Sequence, residues 1–232
     1  MQRRSFLGTC SAGAALCAAD WPARAADARP KDYARALLVD GRGEPLRASQ
    51  LKPQTNYVFH YPYVATPVFL LDLGQPVPGH ALSTEQHDAY RWPGGVGRNR
   101  SIVAFSAICA HQLVYPTRQV SFISFRRKRA RQGVQDGLIH CCSENSQYDP
   151  ARGAQVLAGP AKQPLCAVLL EHDPRADSLT AHATLGGELF DAFFDKYRMK
   201  LALDVGPKAQ QPVAGQATVY ELESFCRNPV QC

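Results

Sequence analysis

A chain of 232 residues, 45% of them hydrophobic and 20% charged, is long enough for one domain with a real core and some elaboration. Its formal charge of +6 is modest, and the densest basic stretch (Arg126, Arg127, Lys128, Arg129, Arg131) is a single local run, which excludes an extended nucleic-acid surface. No stretch is long and apolar enough to cross a bilayer core as a helix.

The chain opens Met1-Gln2-Arg3-Arg4-Ser5-Phe6-Leu7, continues through a mildly apolar run rich in Ala, Gly, Ser and Cys, and reaches Ala23-Arg24-Ala25. A paired arginine, a short weak hydrophobic segment and an A-x-A site predict a twin-arginine export signal over residues 1–25. That signal is expected either to be cleaved, leaving a periplasmic chain of about 207 residues, or to be kept as an inner-membrane anchor. Residues 26–55 are polar, with scattered Pro and Gly, and predict an extended arm with little regular structure. Strands follow at 57–61 and 68–71, a turn-rich stretch at 80–97, and a strand at 101–105 that delivers the chain to Cys109. Residues 120–125 alternate with period two, as a half-buried antiparallel strand does. Further strands are predicted at 137–140, 155–157, 165–170, 178–183 and 217–222. One helix starts near Gly187, with Leu189, Phe190, Phe193, Phe194 and Tyr197 on one face, a stripe that reads as core packing. There are no internal repeats or low-complexity tracts. The expected fold class is all-β, an antiparallel sandwich with one C-terminal helix, divided into an arm (26–55), a central domain (56–185) and a helix with tail (186–232).

Eight cysteines are present, of which Cys10 and Cys17 fall in the export signal. Cys226 and Cys232 close a short terminal loop and are expected to form a disulfide, which an oxidising compartment permits. Cys166 lies in an apolar run and reads as a small buried hydrophobe. The chemistry concentrates elsewhere. Cys109-Ala110-His111 is answered about thirty residues later by His140-Cys141-Cys142-Ser143-Glu144-Asn145-Ser146-Gln147-Tyr148-Asp149, and then by Gly153 and Gly159-Pro160-Ala161. Thiols beside imidazole from two separate loops are what an iron–sulfur centre of mixed ligation needs. The basic run lies between the two loops and reads as the tip of an inserted hairpin, or as a docking patch for an acidic partner.

Together these pieces resemble the Rieske [2Fe–2S] domain, whose loops carry C-x-H and C-x-x-H, the second followed by Ser-x-aromatic-Asp and a Gly-Pro-Ala segment. The resemblance covers about residues 100–170. It implies a cluster with Cys109 and His111 as first-loop ligands, and hydroxyls of Ser146 and Tyr148 bonded to cluster sulfide and to a cysteine sulfur. The second loop has no histidine at the family's position. Two registers remain: Cys142 with Asn145, or Cys141 with Glu144. Spacing to Gly153 favours Cys142 and Asn145 as the second-loop pair, whereas spacing to Tyr148-Asp149 favours the other. His140 or the spare cysteine is a further candidate for the fourth place. The clamp of one extra cysteine per loop is absent, because Val114 stands at its first-loop position.

What the resemblance implies is one-electron transfer in the periplasm, as a small subunit or partner of a redox enzyme, with that enzyme's large subunit or a cytochrome-type acceptor as partner. The alternative is a cluster-free docking or structural module that keeps the fold. Beyond the cluster loops, His172 and His182 with Asp173 and Asp177 lie in one strand–turn–strand, too short to house a separate mononuclear iron domain. A zinc site built from Cys109, His111, Cys141 and Cys142 is disfavoured, since adjacent cysteines rarely reach one tetrahedral ion together. No general acid, base or nucleophile constellation stands out.

Overall fold

The structure is a computed structural model that describes residues 28–127 and 137–232. The expected export signal, with Cys10 and Cys17, and three residues of the basic run (Lys128, Arg129, Arg131) lie outside the described residues.

The first strand, β1 (Lys31–Val39), falls in the segment expected to be an irregular arm. Ala36 and Leu38 alternate onto one buried face, with Val39 buried beside them, and this period-two face is enough to dock the segment. The prolines and glycines that suggested an arm flank the strand rather than interrupt it.

Next come β2 (Tyr57–His60) and β3 (Pro67–Asp72). The stretch read as turns contains a hairpin, β4 (His80–Ser83) with β5 (Ala89–Trp92). β6 (Ile102–Ser106) follows. The segment predicted as one strand over 120–125 is two, β7 (Val120–Ser121) and β8 (Ile123–Phe125). It breaks at Phe122, which is turned out to solvent, while the Ser121 hydroxyl donates to the Ile123 carbonyl at 2.7 Å. The chain then forms β9 (Ile139–Cys141), β10 (Ser146–Asp149), β11 (Gln155–Ala158), β12 (Ala167–Asp173) and β13 (Ser178–Leu185).

The predicted helix is present but broken, as α1 (Phe190–Lys196) and α2 (Arg198–Asp204), with Tyr197 at the joint at φ −104° and ψ 16°. β14 (Gly215–Thr218), β15 (Tyr220–Glu221), the single turn α3 (Leu222–Phe225) and β16 (Asn228–Pro229) complete the chain.

The protein is therefore mostly β, as expected. Eight strands form one sheet in the order β14-β1-β13-β12-β6-β3-β2-β15. It is mixed rather than purely antiparallel, because β1 and β14 run parallel. Its two ends are nearly joined: the Val219 N–H donates to the Val39 carbonyl on β1, and the next residue, Tyr220, pairs with Val58 on β2. The sheet thus curls into something close to a barrel. A smaller sheet, β11-β10-β9-β8, packs against it.

The continuous apolar runs at β3 and β6 follow from this arrangement. Val68, Leu70, Ile102 and Ala104 face the inside of the curled sheet together with Leu38, Phe59 and Leu179. Phe69, Leu71, Val103 and Phe105 face the other way, onto Ile123, Phe125, Ile139, Cys141 and Tyr148 of the smaller sheet. A strand covered on both faces has no solvent side on which polar residues would alternate. A third cluster joins the helices to the first candidate loop. Phe190, Phe193, Phe194 and Leu201 pack with Ile108, and against Leu113, Tyr115 and Tyr197. Phe193 is fully buried, and its side chain alone contributes about 1.5–3 kcal/mol by burial.

Candidate metal centre

β6 runs out of the large sheet through the buried residues Ala107 and Ile108 and delivers Cys109 into the space between the two sheets. The chain then turns back at once. The Leu113 N–H donates to the Cys109 carbonyl at 3.0 Å, and the Cys109 N–H donates to the Val114 carbonyl at 2.8 Å. Leu113 takes a left-handed φ of 59° to allow it. Lys196 on α1 anchors the tip through the Gln112 carbonyl. Cys109 is fully buried, and His111, two residues on, stands at the rim with 30% of its side chain exposed.

The second loop is the turn of the β9–β10 hairpin, in which Cys141 pairs with Ser146, His140 with Gln147 and Ile139 with Tyr148. Successive side chains on a strand point to opposite faces, so the register decides which residues look inward. Ile139, Cys141, Ser146 and Tyr148 are buried toward the large sheet. His140 is turned to the other face, where it lines a cavity of about 400 Å³ with Asn56, Arg126, Glu221 and Cys232. Cys142 is drawn to the same side as that cavity. Its N–H donates to the Phe122 carbonyl at 2.6 Å, and its sulfur is bonded to Cys232 in a disulfide spanning 90 residues of sequence.

Two sequence-based expectations are corrected by this pairing. The terminal disulfide joins Cys232 to Cys142, not to Cys226, which is a buried free thiol. Cys142 therefore has no thiolate to offer a metal, and Cys141 is the second-loop cysteine that meets Cys109. Asn145, the partner assigned to Cys142, is exposed and holds a left-handed φ of 57° as the hairpin turns back into β10. The residue three beyond Cys141 is Glu144. Cys166 is buried, as its apolar context predicts.

Cys109 and Cys141 are both free, fully buried and hydrogen-bonded to each other. The Tyr148 hydroxyl accepts from the Ala110 N–H at 3.1 Å and is hydrogen-bonded to the Cys109 sulfur at 3.2 Å, a bond in which it donates when that sulfur is a thiolate. The Cys109 thiol is held below its ordinary range, first by the Cys141 thiol, then, against the cost of burial, by Tyr148 and by backbone N–H groups at His111 and Gln112. Cys141 is pushed up by the same shared bond and by burial, and burial pushes Tyr148 up as well. One sulfur of the pair is thus prepared to carry negative charge in a dry environment.

At the rim, the His111 Nδ1 faces the Glu144 Oε2 at 3.5 Å, with 30% and 29% of the two side chains exposed. Among the described residues, no three or more His, Cys, Asp or Glu side chains gather as a single ion would require. The four candidates stand instead as two pairs, a buried pair of thiols and a half-exposed imidazole–carboxylate pair.

A third segment closes over the hairpin. Ser146 is fully buried, and its hydroxyl accepts from the Ala161 N–H at 3.3 Å. That bond ties the Gly159-Pro160-Ala161 segment to the second loop. Gly159 has φ 89°, and a β-carbon there would meet the Asn145 carbonyl oxygen and the Ser146 Cα at 2.5 Å. Only glycine allows the segment to lie this close. Gln163 holds its far end, accepting from the Glu85 N–H and donating to the Gly187 carbonyl.

His172 and Asp177 are paired at 3.1 Å across the β12–β13 turn. Asp177 also accepts from the N–H and hydroxyl of Ser49. They fasten this turn to the segment after β1.

No family model matches the sequence. Among solved structures, the chain is similar to the crystal structure of the soluble domain of the Rieske protein II (soxF) from Sulfolobus acidocaldarius. Identity is 24%, coverage is 67% of this chain and 82% of that one, and the TM-score is 0.47.

Proposed function

We propose that the protein transfers single electrons through a Rieske-type [2Fe–2S] cluster held between the two loops. The observation that carries this reading is the meeting of Cys109 and Cys141, delivered from different sheets into one buried contact, with His111 and Glu144 paired at its rim. The donor set fits such a cluster: two soft thiols form one pair, and a nitrogen and an oxygen donor form the other, which gives two protein donors for each of two irons. When bound, the cluster supplies a one-electron couple whose potential rises as thiolates are replaced by neutral donors.

The chain's own residues supply the rest. Burial of both sulfurs keeps water from the thiolate side. The Tyr148 hydroxyl and the N–H groups at His111 and Gln112 donate to the Cys109 sulfur, and bonds of this kind favour the more negative, reduced state. The half-exposed His111 and Glu144 bring the other side to the surface, where an electron leaves or enters. Helices α1 and α2 support the first loop from behind through Phe193, Tyr197 and Tyr115.

The paired Arg3 and Arg4 ahead of a short, weakly apolar run support a periplasmic location reached by the twin-arginine route, a route that suits a protein that acquires its cofactor before export. In this reading the chain serves a redox enzyme as a small subunit or carrier, passing electrons to the enzyme's large subunit or to a cytochrome-type acceptor. Subcellular fractionation of cells carrying the chain with Arg3 and Arg4 intact, or both changed to Lys, tests the location. Periplasmic protein lost in the Lys variant supports it, and equal periplasmic amounts of both count against it.

The electron-transfer reading is tested by EPR of the anaerobically purified chain before and after dithionite. It predicts a signal absent when oxidised and present when reduced, at about one spin for every two irons. Iron-loaded protein that stays silent on reduction would overturn it.

A further inference from the structure

We infer that Glu144 is the fourth protein ligand of this centre, sharing with His111 the iron that the two cysteines do not bind. The inference rests on the cluster reading above and adds the identity and charge of its last ligand. Four observations lead to it.

The hairpin register turns Cys141 inward and Cys142 outward, which puts Glu144, not Asn145, at the third position after the ligating cysteine. The Glu144 N–H donates to the Cys141 carbonyl at 3.3 Å, and this tight turn returns the residue to the side from which Cys141 points. Its Oε2 then lies 3.5 Å from the His111 Nδ1. Two ligands of one tetrahedral first-row metal, each at about 2.0–2.1 Å, stand about 3.3–3.4 Å apart, so the observed pair already has the spacing of a shared ion. The competing donors are placed elsewhere: Cys142 is bonded to Cys232, Asn145 is exposed at a left-handed φ, and His140 is on the opposite face of β9.

A carboxylate at this place has a direct consequence. It carries one negative charge where a second imidazole would be neutral, so adding an electron to the site is less favourable than with two histidines. It is also a harder donor than imidazole and suits the ferric state better than the ferrous. Two thiolates, one imidazole and one carboxylate therefore set a potential below that of a two-histidine centre and above that of a four-thiolate one.

The test uses the full chain, purified anaerobically and reconstituted with ferrous iron and sulfide. Iron content, midpoint potential and nitrogen couplings in the pulsed EPR spectrum of the reduced protein are the readouts. The parent protein should bind two irons and show coupling to one imidazole nitrogen. Glu144→His should add a second nitrogen coupling and raise the potential, and Glu144→Gln should bind iron at least tenfold more weakly. Asn145→His should leave all three readouts unchanged.

If the parent binds two irons while Glu144→Gln keeps the same iron content, spectrum and potential, the ligand assignment is overturned and the cluster reading survives. A second nitrogen coupling appearing in Asn145→His would overturn it as well. If the parent is folded by circular dichroism yet takes up no iron, the cluster reading itself fails, and the assignment with it.

Discussion

The Tyr148 hydroxyl lies 3.2 Å from the Cys109 sulfur while accepting the Ala110 N–H at 3.1 Å. One oxygen on β10 thus contacts both the Cys109 sulfur and the backbone that follows it, locking the two loops together at the point where their cysteines meet. Changing Tyr148 to Phe removes both bonds and leaves a partly buried N–H without its partner, a cost of about 1–3 kcal/mol. Denaturant unfolding should show that loss. In iron-loaded protein the midpoint potential should also fall, because a donor to the thiolate is gone. An unchanged potential would mean that Tyr148 is structural only.

The Cys142–Cys232 disulfide fastens the C-terminal tail to the second loop. Cys232→Ser should lower stability by about 2–4 kcal/mol under oxidising conditions and change nothing once the protein is reduced. Cys226→Ser should leave the disulfide intact. Peptide mapping without reduction checks the connectivity directly, and a Cys226–Cys232 peptide would contradict it.

Gly159 is confined by its backbone angle and by the second loop beneath it. Gly159→Ala should cost about 1–3 kcal/mol, through a strained φ and displacement of the Asn145–Ser146 backbone. Gly41→Ala, at a position open on all sides, should cost little. Equal thermal stabilities of the two variants would show that the Gly-Pro-Ala segment does not press on the hairpin.

His60 gives the fold a pH dependence of its own. Packed against Phe225 with ring centroids 5.7 Å apart, it is held neutral by burial and, less strongly, by Arg118, which bring its pKa from 6.5 down to about 4. A group lowered in this way contributes its full stability above pH 6.5 and loses it as pH falls toward 4. Unfolding free energy should therefore decline across that window, with a shallower decline in His60→Gln. A decline of the same slope in both proteins would remove His60 as the cause.

Much of this architecture is legible in the residues. The double-sided strands β3 and β6 read as continuous apolar runs, and Cys109 and Tyr148 are found by their motif spacing. The choice between Cys141 and Cys142 is not legible, because the strand that settles it, Ile139–Cys141, is three residues long and too short for alternation to be seen. Only its pairing with Ser146–Asp149 shows which cysteine faces inward. The disulfide escapes for a related reason. Cys226 and Cys232 are close in sequence, whereas the observed partner is brought near by the parallel pairing of β16 with β7, and spacing alone does not determine connectivity. β1 was hidden because its buried face consists of Ala36 and Leu38 within an otherwise polar segment.

The most direct test of the central claim is iron and acid-labile sulfide content of the anaerobically purified chain, measured for the parent and for Cys141→Ser and Cys142→Ser. About two of each per chain are expected in the parent and in Cys142→Ser, and almost none in Cys141→Ser. Folded parent protein without iron, or iron lost with Cys142 and kept without Cys141, would contradict it.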